Sequence, residues 1–404
     1  MYISAFSELE AFIAQVRAEK FVAVDTEFVR DNTFYPKLCL VQLATPSANA
    51  LIDPILIENL SPLAELLKDE SIVKIFHACS QDLEVLEYAT GVVAHPIFDT
   101  QIAAGFLGHP HQLGLAPLVQ LYEGVRLPKT VTLTDWAARP LDSEQLRYAA
   151  DDVTYLPHIY QTMMQQLIEK DRLGWVMPEM ESYCDASRWN IAPEEAYKRL
   201  KRSNSFTRRQ LAIAREVCAW REGVAQKENR PRRWVLSDET TIELCRLAPT
   251  TEHDVRRVRG TEHLSFAERL AILKALEAGR NCPAAWTPQT AERHQHNPAF
   301  ESVLDLAYAL LRIIADKSGV AISLIASRDD LRNFAEALYQ KDAAAEKTAS
   351  STGAAAKRTS SRKKTTPPSR LSEGWRYELA GKTLESLFRG QTALTVKNGR
   401  LEIF

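Results

Sequence analysis

The chain has 404 residues, of which 45% are hydrophobic and 25% are charged. This length exceeds what one hydrophobic core usually supports, so we expect a catalytic domain with one or two smaller modules. No run approaches the roughly 18 consecutive apolar residues that a membrane span needs, and the first ten residues lack the basic and apolar segments of a secretory signal. The six cysteines show no C-x-x-C pair and no zinc spacing. These features exclude a membrane protein and a disulfide scaffold, and they predict a cytoplasmic protein with reduced thiols.

Charge is distributed unevenly along the chain. Residues 1–190 contain 26 Asp and Glu against 13 Lys and Arg, whereas residues 198–233 contain 12 Lys and Arg against 3 Glu. An acidic region favours cation binding, and a basic region favours a polyanion such as nucleic acid.

The first part of the chain alternates strand and helix patterns. Short apolar runs rich in β-branched residues predict strands, and turn residues between the first three predict an antiparallel meander. The order of elements predicts an α/β domain with a mixed sheet. The predicted elements are strands over 21–25, 38–43 and 50–53, a helix over 60–68, a strand over 72–76 and a helix over 81–89.

The second part is helical. Apolar positions recur at helical spacing over 143–169, where Pro157 is predicted to split the helix. Residues 341–370 are rich in Ala, Ser, Thr, Lys and Arg, a composition that predicts a disordered linker. Asn398-Gly399 predicts a tight hairpin within the tail 391–404. Further helices are predicted over 207–225, 266–278, 299–317, 329–339 and 375–388.

Three separated acidic motifs indicate chemistry. Asp25 and Glu27 are two apart on a predicted strand, so both carboxylates lie on one face. Such a pair is unfavourable unless a cation neutralises it, and the alternative is a solvated strand end. Tyr148 and Asp152 are four apart on a predicted helix and therefore neighbours. Asp82 lies in the first turn of another helix, where an acid also favours the helix dipole.

The order D-x-E, then D, then Y-x-x-x-D resembles the tyrosine-bearing branch of the DEDD exonuclease superfamily. Residues 24–28, 77–86 and 135–152 are similar to the ribonuclease D family. This resemblance implies an RNase H-like α/β exonuclease domain over residues 1–190. It also implies that two Mg²⁺ or Mn²⁺ ions are bound by Asp25, Glu27, Asp82 and Asp152, and that Tyr148 orients the nucleophile.

The same resemblance implies that Phe28 stacks on the terminal base. Lys129 and Arg139 are predicted to contact phosphates, with a structural or surface role as the alternative. Asp151 stands where the family more often has a small residue, so it either alters the metal preference or faces solvent.

The helical part resembles HRDC domains, which bind nucleic acid. The match lies in residues 208–211, 219–222 and 229–236, which implies an all-α HRDC domain over 199–281. A second, diverged copy is predicted over 298–390, interrupted by the linker. RNA contacts are predicted for Arg230, Arg232 and Arg233, and the alternative is a solvated basic face.

Together these features predict a 3′→5′ exoribonuclease that releases 5′-mononucleotides from RNA ends, with tRNA precursors as the substrate that the family implies. No membrane and no obligate protein partner are expected. Two alternatives stay open: a 3′→5′ DNA exonuclease, because a phosphodiester does not itself report a 2′-hydroxyl, and a non-catalytic RNA-binding scaffold. Deleting residues 199–404 is predicted to weaken RNA binding while hydrolysis of short oligomers persists.

Overall fold

A six-stranded mixed sheet organises the N-terminal domain. The computed structural model describes residues 1–110, 112–128, 134–289, 297–350 and 369–404. The sheet order is β1-β4-β3-β2-β5-β6, with β2, β3 and β4 antiparallel and the other neighbours parallel. The predicted mixed sheet and its meander are therefore confirmed. The strands are β1 (Tyr2–Ile3), β2 (Phe21–Val29), β3 (Lys37–Ala44), β4 (Asn49–Ile52), β5 (Val73–Phe76) and β6 (Ile97–Asp99).

Helices cover both faces of this sheet. The predicted split near Pro157 is confirmed, because one helix ends at Thr154 and the next begins at Leu156. Seven of the eight residues of β3 are buried, as expected for a central strand with both faces covered. The helices are α1 (Phe6–Val16), α2 (Ser61–Leu67), α3 (Ser80–Thr90), α4 (Thr100–Phe106), α5 (Leu115–Glu123), α6 (Ser143–Thr154), α7 (Leu156–Glu169) and α8 (Leu173–Glu181).

A first group of helices follows a linker of short 3₁₀ turns over residues 182–205. This group has its own hydrophobic core. It contacts the N-terminal domain through Phe34, which packs against Ala225 and Val235. The side-chain oxygen of Asn229 accepts hydrogen bonds from the backbone N–H groups of Phe34 and Tyr35 at 3.1 and 3.0 Å. The helices are α9 (Arg208–Lys227), α10 (Arg232–Val235), α11 (Asp238–Leu247), α12 (Glu252–Arg256) and α13 (Phe266–Asn281).

A second group of helices packs directly on the N-terminal domain and shares its core. The ring of Trp375 stacks on Trp175 with centroids 5.4 Å apart and meets Phe106 edge-on at 5.2 Å. A π-helical segment, Tyr377–Gly381, precedes the last helix. The helices are α14 (Pro298–Ser318), α15 (Ile322–Ile325), α16 (Arg328–Ser350), α17 (Gly374–Arg376) and α18 (Lys382–Phe388).

Two features of the C-terminal region bear on the sequence predictions. The predicted hairpin is present, with β7 (Leu394–Lys397) and β8 (Arg400–Ile403) joined through Asn398 and Gly399, both at positive φ. The predicted disorder is wrong for residues 341–350, where α16 continues to Ser350. These residues are rich in alanine, which has the highest helix propensity. Residues 351–368 lie outside the described parts. None of the described helices is long and apolar enough to cross a bilayer.

Candidate active site

Three carboxylates from two distant segments converge on one face of the sheet. Asp25 and Glu27 lie on β2, and α6 packs across β2, β3 and β4. This packing brings Asp152 of α6 to the strand, and one oxygen from each of Asp25, Glu27 and Asp152 lies within 4.8 Å of the others. A bulge between Glu27 and Phe28 interrupts the β2–β3 pairing beside them. The geometry and the hard oxygen donors fit a divalent metal ion.

The fourth predicted carboxylate borders this cluster. Asp82 lies in the first turn of α3, is 8% exposed, and accepts a 2.5 Å hydrogen bond from the Thr26 hydroxyl. Its charge contributes to the raised pKa of Asp25 and of Glu27. Asp82 therefore lies at the same site, although its oxygens do not belong to the 4.8 Å set.

The four carboxylates shift one another's titration. Burial and then the charges of Asp82, Asp152 and Glu27 raise the pKa of Asp25 well above its ordinary value. Burial, followed by Asp152 and Asp82, raises the pKa of Glu27 to about 8. Burial also raises the pKa of Asp152 to about 7 and that of Asp82 to about 6, against hydrogen bonds that favour their charged forms. A bound cation would relieve this repulsion and hold all four carboxylates ionised.

Tyr148 lies one helical turn before Asp152, as its spacing predicts. Burial and the neighbouring carboxylates raise the pKa of its hydroxyl above the ordinary value near 10, so this group is protonated at neutral pH. A hydrogen bond from Tyr148 favours the charged form of Asp152. The tyrosine is thus placed to donate a hydrogen bond and not to remove a proton.

Two supporting residues were not predicted from the sequence. Asp99, at the end of β6, is 1% exposed and accepts hydrogen bonds from the backbone N–H groups of Ala78 and Cys79, in the turn that leads into α3. It also caps α4, and an Asp-Thr pair after an apolar run is the N-cap signal that would have revealed it. Asp99 thereby fixes the turn that carries Asp82.

Gln42 is the second supporting residue that was not predicted from the sequence. It pairs with Asp25 across β2 and β3, so the two side chains share a face. It is fully buried, and neither amide atom has a hydrogen-bond partner among the described residues. The sequence signal was a single polar residue inside an otherwise apolar strand.

Arg139, for which a phosphate contact or a structural role was predicted, is bound by protein groups in this structure. Its guanidinium donates to both oxygens of buried Asp53, at 2.5 and 2.8 Å, and to the backbone carbonyls of Cys39, Trp136 and Ala138. These bonds tie the loop after residue 134 to β3 and to the residue that follows β4. The same loop places Trp136 against Tyr148, with ring centroids 6.1 Å apart.

We expect the Arg139→Ala variant to lose about 3–5 kcal/mol of unfolding free energy, because Asp53 is left as an unpaired buried charge. RNA affinity, measured at a temperature where the variant is folded, should change less than about threefold. Chemical denaturation and fluorescence anisotropy measure the two quantities. The control is Arg256→Ala, which removes an exposed arginine that has no ion pair within the described parts of the chain. If the Arg139→Ala variant is stable but binds RNA weakly, the result would support the predicted phosphate contact of Arg139.

The other predicted substrate-binding residues differ in where they lie and in which groups they contact. Phe28 is half-buried and lies at the bulge, directly after Glu27 on β2. Lys129 lies outside the described residues. In the first helical group, Arg230 pairs with Glu228 and Glu268, and Arg232 forms two hydrogen bonds to Glu222.

Arg233 differs from these two arginines. It is exposed and makes no ion pair with any residue that the structure describes. Of the three predicted RNA contacts in the first helical group, Arg233 alone therefore has its charge uncompensated in this structure.

The raised pKa values predict a pH-dependent stability without metal. Between the usual carboxyl values near 4 and the folded values of about 6 to 8, the folded chain binds more protons than the unfolded one. Stability therefore falls as pH rises through this window. A pKa that differs by one between the folded and unfolded chain corresponds to about 1.4 kcal/mol. We therefore expect the Tm in EDTA to drop by at least about 3 °C between pH 5 and pH 8.5.

Manganese should reverse this trend, because a metal binds the deprotonated carboxylates and its stabilisation grows with pH. Differential scanning calorimetry in EDTA and in Mn²⁺ measures both effects. The Asp25→Asn/Glu27→Gln variant is expected to lose most of each. An unchanged pH profile in that variant would show that other groups cause it.

Comparisons with known proteins identify the family of the chain. A family model described as a 3′-5′ exonuclease matches residues 1–168, and an HRDC domain model matches residues 210–276. Ribonuclease D of Bartonella henselae is 33% identical, covering 99% of this chain and 92% of that protein. Ribonuclease D of Sphingobium indicum is 37% identical, covering 98% and 96%.

Among solved structures, that of Escherichia coli RNase D, described as an exoribonuclease involved in structured RNA processing, has a TM-score of 0.79. It is 29% identical and covers 96% of this chain and 98% of that one. The chain therefore belongs to the ribonuclease D family and is an exoribonuclease of the 3′→5′ type.

Proposed function

We propose that the enzyme shortens RNA one nucleotide at a time from its 3′ end, releasing 5′-mononucleotides, with two Mg²⁺ or Mn²⁺ ions bound at the carboxylate cluster. The observation that carries this proposal is the convergence of Asp25, Glu27 and Asp152 within 4.8 Å. These three residues come from two distant segments of the chain, and a purely structural acidic surface would not require them to converge. Asp82 adjoins them. Precursors of tRNA and other structured RNAs are the proposed substrates, and the cytoplasm is the proposed location. We expect no obligate protein partner.

Each side chain has a proposed role in this reaction. Asp25, Glu27 and Asp152 would hold one ion, and Asp25 with Asp82 would serve the second, Asp82 through water. Bound divalent ions would supply an activated water and neutralise charge on the phosphate and the leaving 3′-oxygen. Tyr148, protonated and adjacent to Asp152, would donate a hydrogen bond that orients the attacking group. Phe28 would stack on the terminal base, so that a free 3′ end is selected.

The domain boundaries are part of the proposal. We assign residues 1–190 to the exonuclease domain, 199–281 to the first HRDC domain and 298–390 to a diverged second copy, followed by the tail 391–404. The separate core of the first helical group supports its assignment as a module. The second group is less independent, because its core is continuous with that of the exonuclease domain.

Product analysis tests the proposal. RNA carrying a 3′ label should yield labelled 5′-mononucleotide at the earliest time points, and 5′-labelled RNA should yield a ladder that shortens by single nucleotides. Both should require Mg²⁺ or Mn²⁺. DNA of matched sequence tests the alternative of a DNA exonuclease, which predicts that DNA is hydrolysed at a rate equal to or higher than that of RNA. Binding without release of mononucleotide would instead support the scaffold, against which the presence of all four acids and Tyr148 argues.

A further inference from the structure

A wide groove separates the exonuclease domain from the first HRDC domain. Its volume is about 1040 Å³, and its walls come from the loop after β2, the start of α3, the 3₁₀ linker over residues 182–205, α10 and the start of α11. The loop after β2, the 3₁₀ linker and α10 contribute basic residues to these walls. They are Arg30, Arg188, Arg199, Lys201, Arg232 and Arg233.

Most of this positive charge is not compensated. Arg30 pairs with Glu84 at 2.8 Å, and Arg232 pairs with Glu222 at 2.6 Å. The other four basic residues make no ion pair within the described parts of the chain. Four acids also line the groove, but Glu84 is paired with Arg30, and Asp238 is paired with Arg221 at 2.8 Å. Asp31 and Glu239 are the remaining acids, so the unpaired charges in the walls are predominantly positive.

Arg199 lies close enough to two other arginines to be repelled by both. Burial and then the charges of Arg232 and Arg30 lower the pKa of Arg199, against the opposite effect of Glu222 and Glu84. These arginines come from the loop after β2, the 3₁₀ linker and α10. A folded protein that gathers like charges from three segments gains most when an anion lies among them.

The groove adjoins the candidate active site. Arg30 is two residues beyond Phe28, and Gln81 in the groove wall directly precedes Asp82. Its aromatic residues offer no stacking surface, since Phe34 and Trp189 are 6% and 9% exposed. Such a lining favours contact with a phosphate backbone over contact with bases.

We propose that this groove binds the phosphates of the RNA segment that lies 5′ of the scissile nucleotide, independently of its sequence. The proposal rests on the proposed function, because it takes the 3′ end to be held at the carboxylates. It assigns a binding role to Arg188, Arg199 and Lys201, which lie in the 3₁₀ linker, outside the residues 1–168 and 210–276 that the two family models match. The 3₁₀ linker over residues 182–205 then contacts RNA as well as connecting the two domains.

Binding of a ten-nucleotide RNA tests the groove without hydrolysis. In EDTA, the Lys201→Ala/Arg233→Ala variant should bind about tenfold more weakly than wild type at low salt. The slope of log K against log salt should decrease by about 1.4, the value for two phosphate contacts on a single strand. The control, Arg256→Ala/Lys274→Ala, removes two exposed charges outside the groove and should change affinity less than twofold. Equal losses in both variants, or no loss in the groove variant, would overturn the proposal.

Hydrolysis of RNAs from two to ten nucleotides then locates the contact. The groove variant should lose about tenfold in kcat/KM on the longest RNA, and the loss should shrink as nucleotides are removed from the 5′ side. The same loss at every length would contradict a contact upstream of the 3′ end. If wild type binds RNA with the predicted salt slope but releases no nucleotide, the proposed function fails while the groove is still judged by the binding data.

Discussion

Replacement of Asp25 by alanine or of Asp152 by asparagine is expected to lower kcat by at least about 10³-fold, or about 4 kcal/mol in the barrier. Each substitution removes an oxygen ligand from the set that lies within 4.8 Å, and with it the charge that holds a divalent ion. RNA affinity in EDTA should stay within about threefold of wild type. Without metal the carboxylates repel phosphates, so neither substitution removes a favourable contact to RNA. Single-turnover kinetics with Mn²⁺ and anisotropy in EDTA measure the two effects.

Asp151 provides a matched control. It is adjacent to Asp152 on α6 but lies outside the carboxylate set. Asp151→Asn removes the same charge one residue away and should change kcat less than about threefold. Equal losses in Asp151→Asn and Asp152→Asn would show that bulk charge, and not a ligand position, controls the rate. Wild-type turnover in either Asp25→Ala or Asp152→Asn would refute the assignment of the active site.

Removal of the second helical group is expected to destabilise the whole exonuclease domain. Its apolar residues share one core with the sheet, and Trp375 packs between Trp175 and Phe106. Arg172 donates to the backbone carbonyls of Ser318 and Gly319, and Arg376 pairs with Glu179 at 2.6 Å. Truncation after residue 297 would expose this surface, so the truncated chain should aggregate or unfold without a cooperative transition. The expectation that deletion of residues 199–404 spares hydrolysis of short oligomers is therefore revised.

The Trp375→Ala variant measures the same interface in the intact chain. Loss of a large packed side chain costs about 3–5 kcal/mol, and in a chain of this size each kcal/mol lowers Tm by about 2–4 °C. Trp286→Ala removes the same side chain from a site that is 74% exposed and should change Tm by less than about 2 °C. A truncated chain that unfolds cooperatively at the full-length Tm would contradict the shared core.

Local periodicity was sufficient to predict the parts of the site that depend on one element. Alternation along β2 placed Asp25 and Glu27 on one face, and helical spacing placed Tyr148 next to Asp152. That the two segments meet followed only from the resemblance to a family, because spacing within a strand or helix does not determine which elements pack together. The structure supplies that contact through the packing of α6 on β2.

Long-range partners explain what the sequence did not reveal. Arg139 suited a phosphate contact and a structural role equally well, and its partner Asp53 lies 86 residues away. Strands β1 and β6 have only two and three residues, too short for an alternating pattern. The amphipathic faces of α14 and α16 were visible, but their shared core with the exonuclease domain was not. The composition of residues 341–350 indicated only that they cannot form a core, whereas helix propensity extended α16.

Anomalous diffraction from crystals grown with Mn²⁺ and a short RNA tests the central claim most directly, in an Asp151→Asn background as well as in wild type. We predict two manganese peaks about 4 Å apart, bounded by Asp25, Glu27, Asp152 and Asp82, with the 3′-terminal phosphodiester beside them. Manganese peaks elsewhere, or none at this cluster at saturating Mn²⁺, would contradict the account.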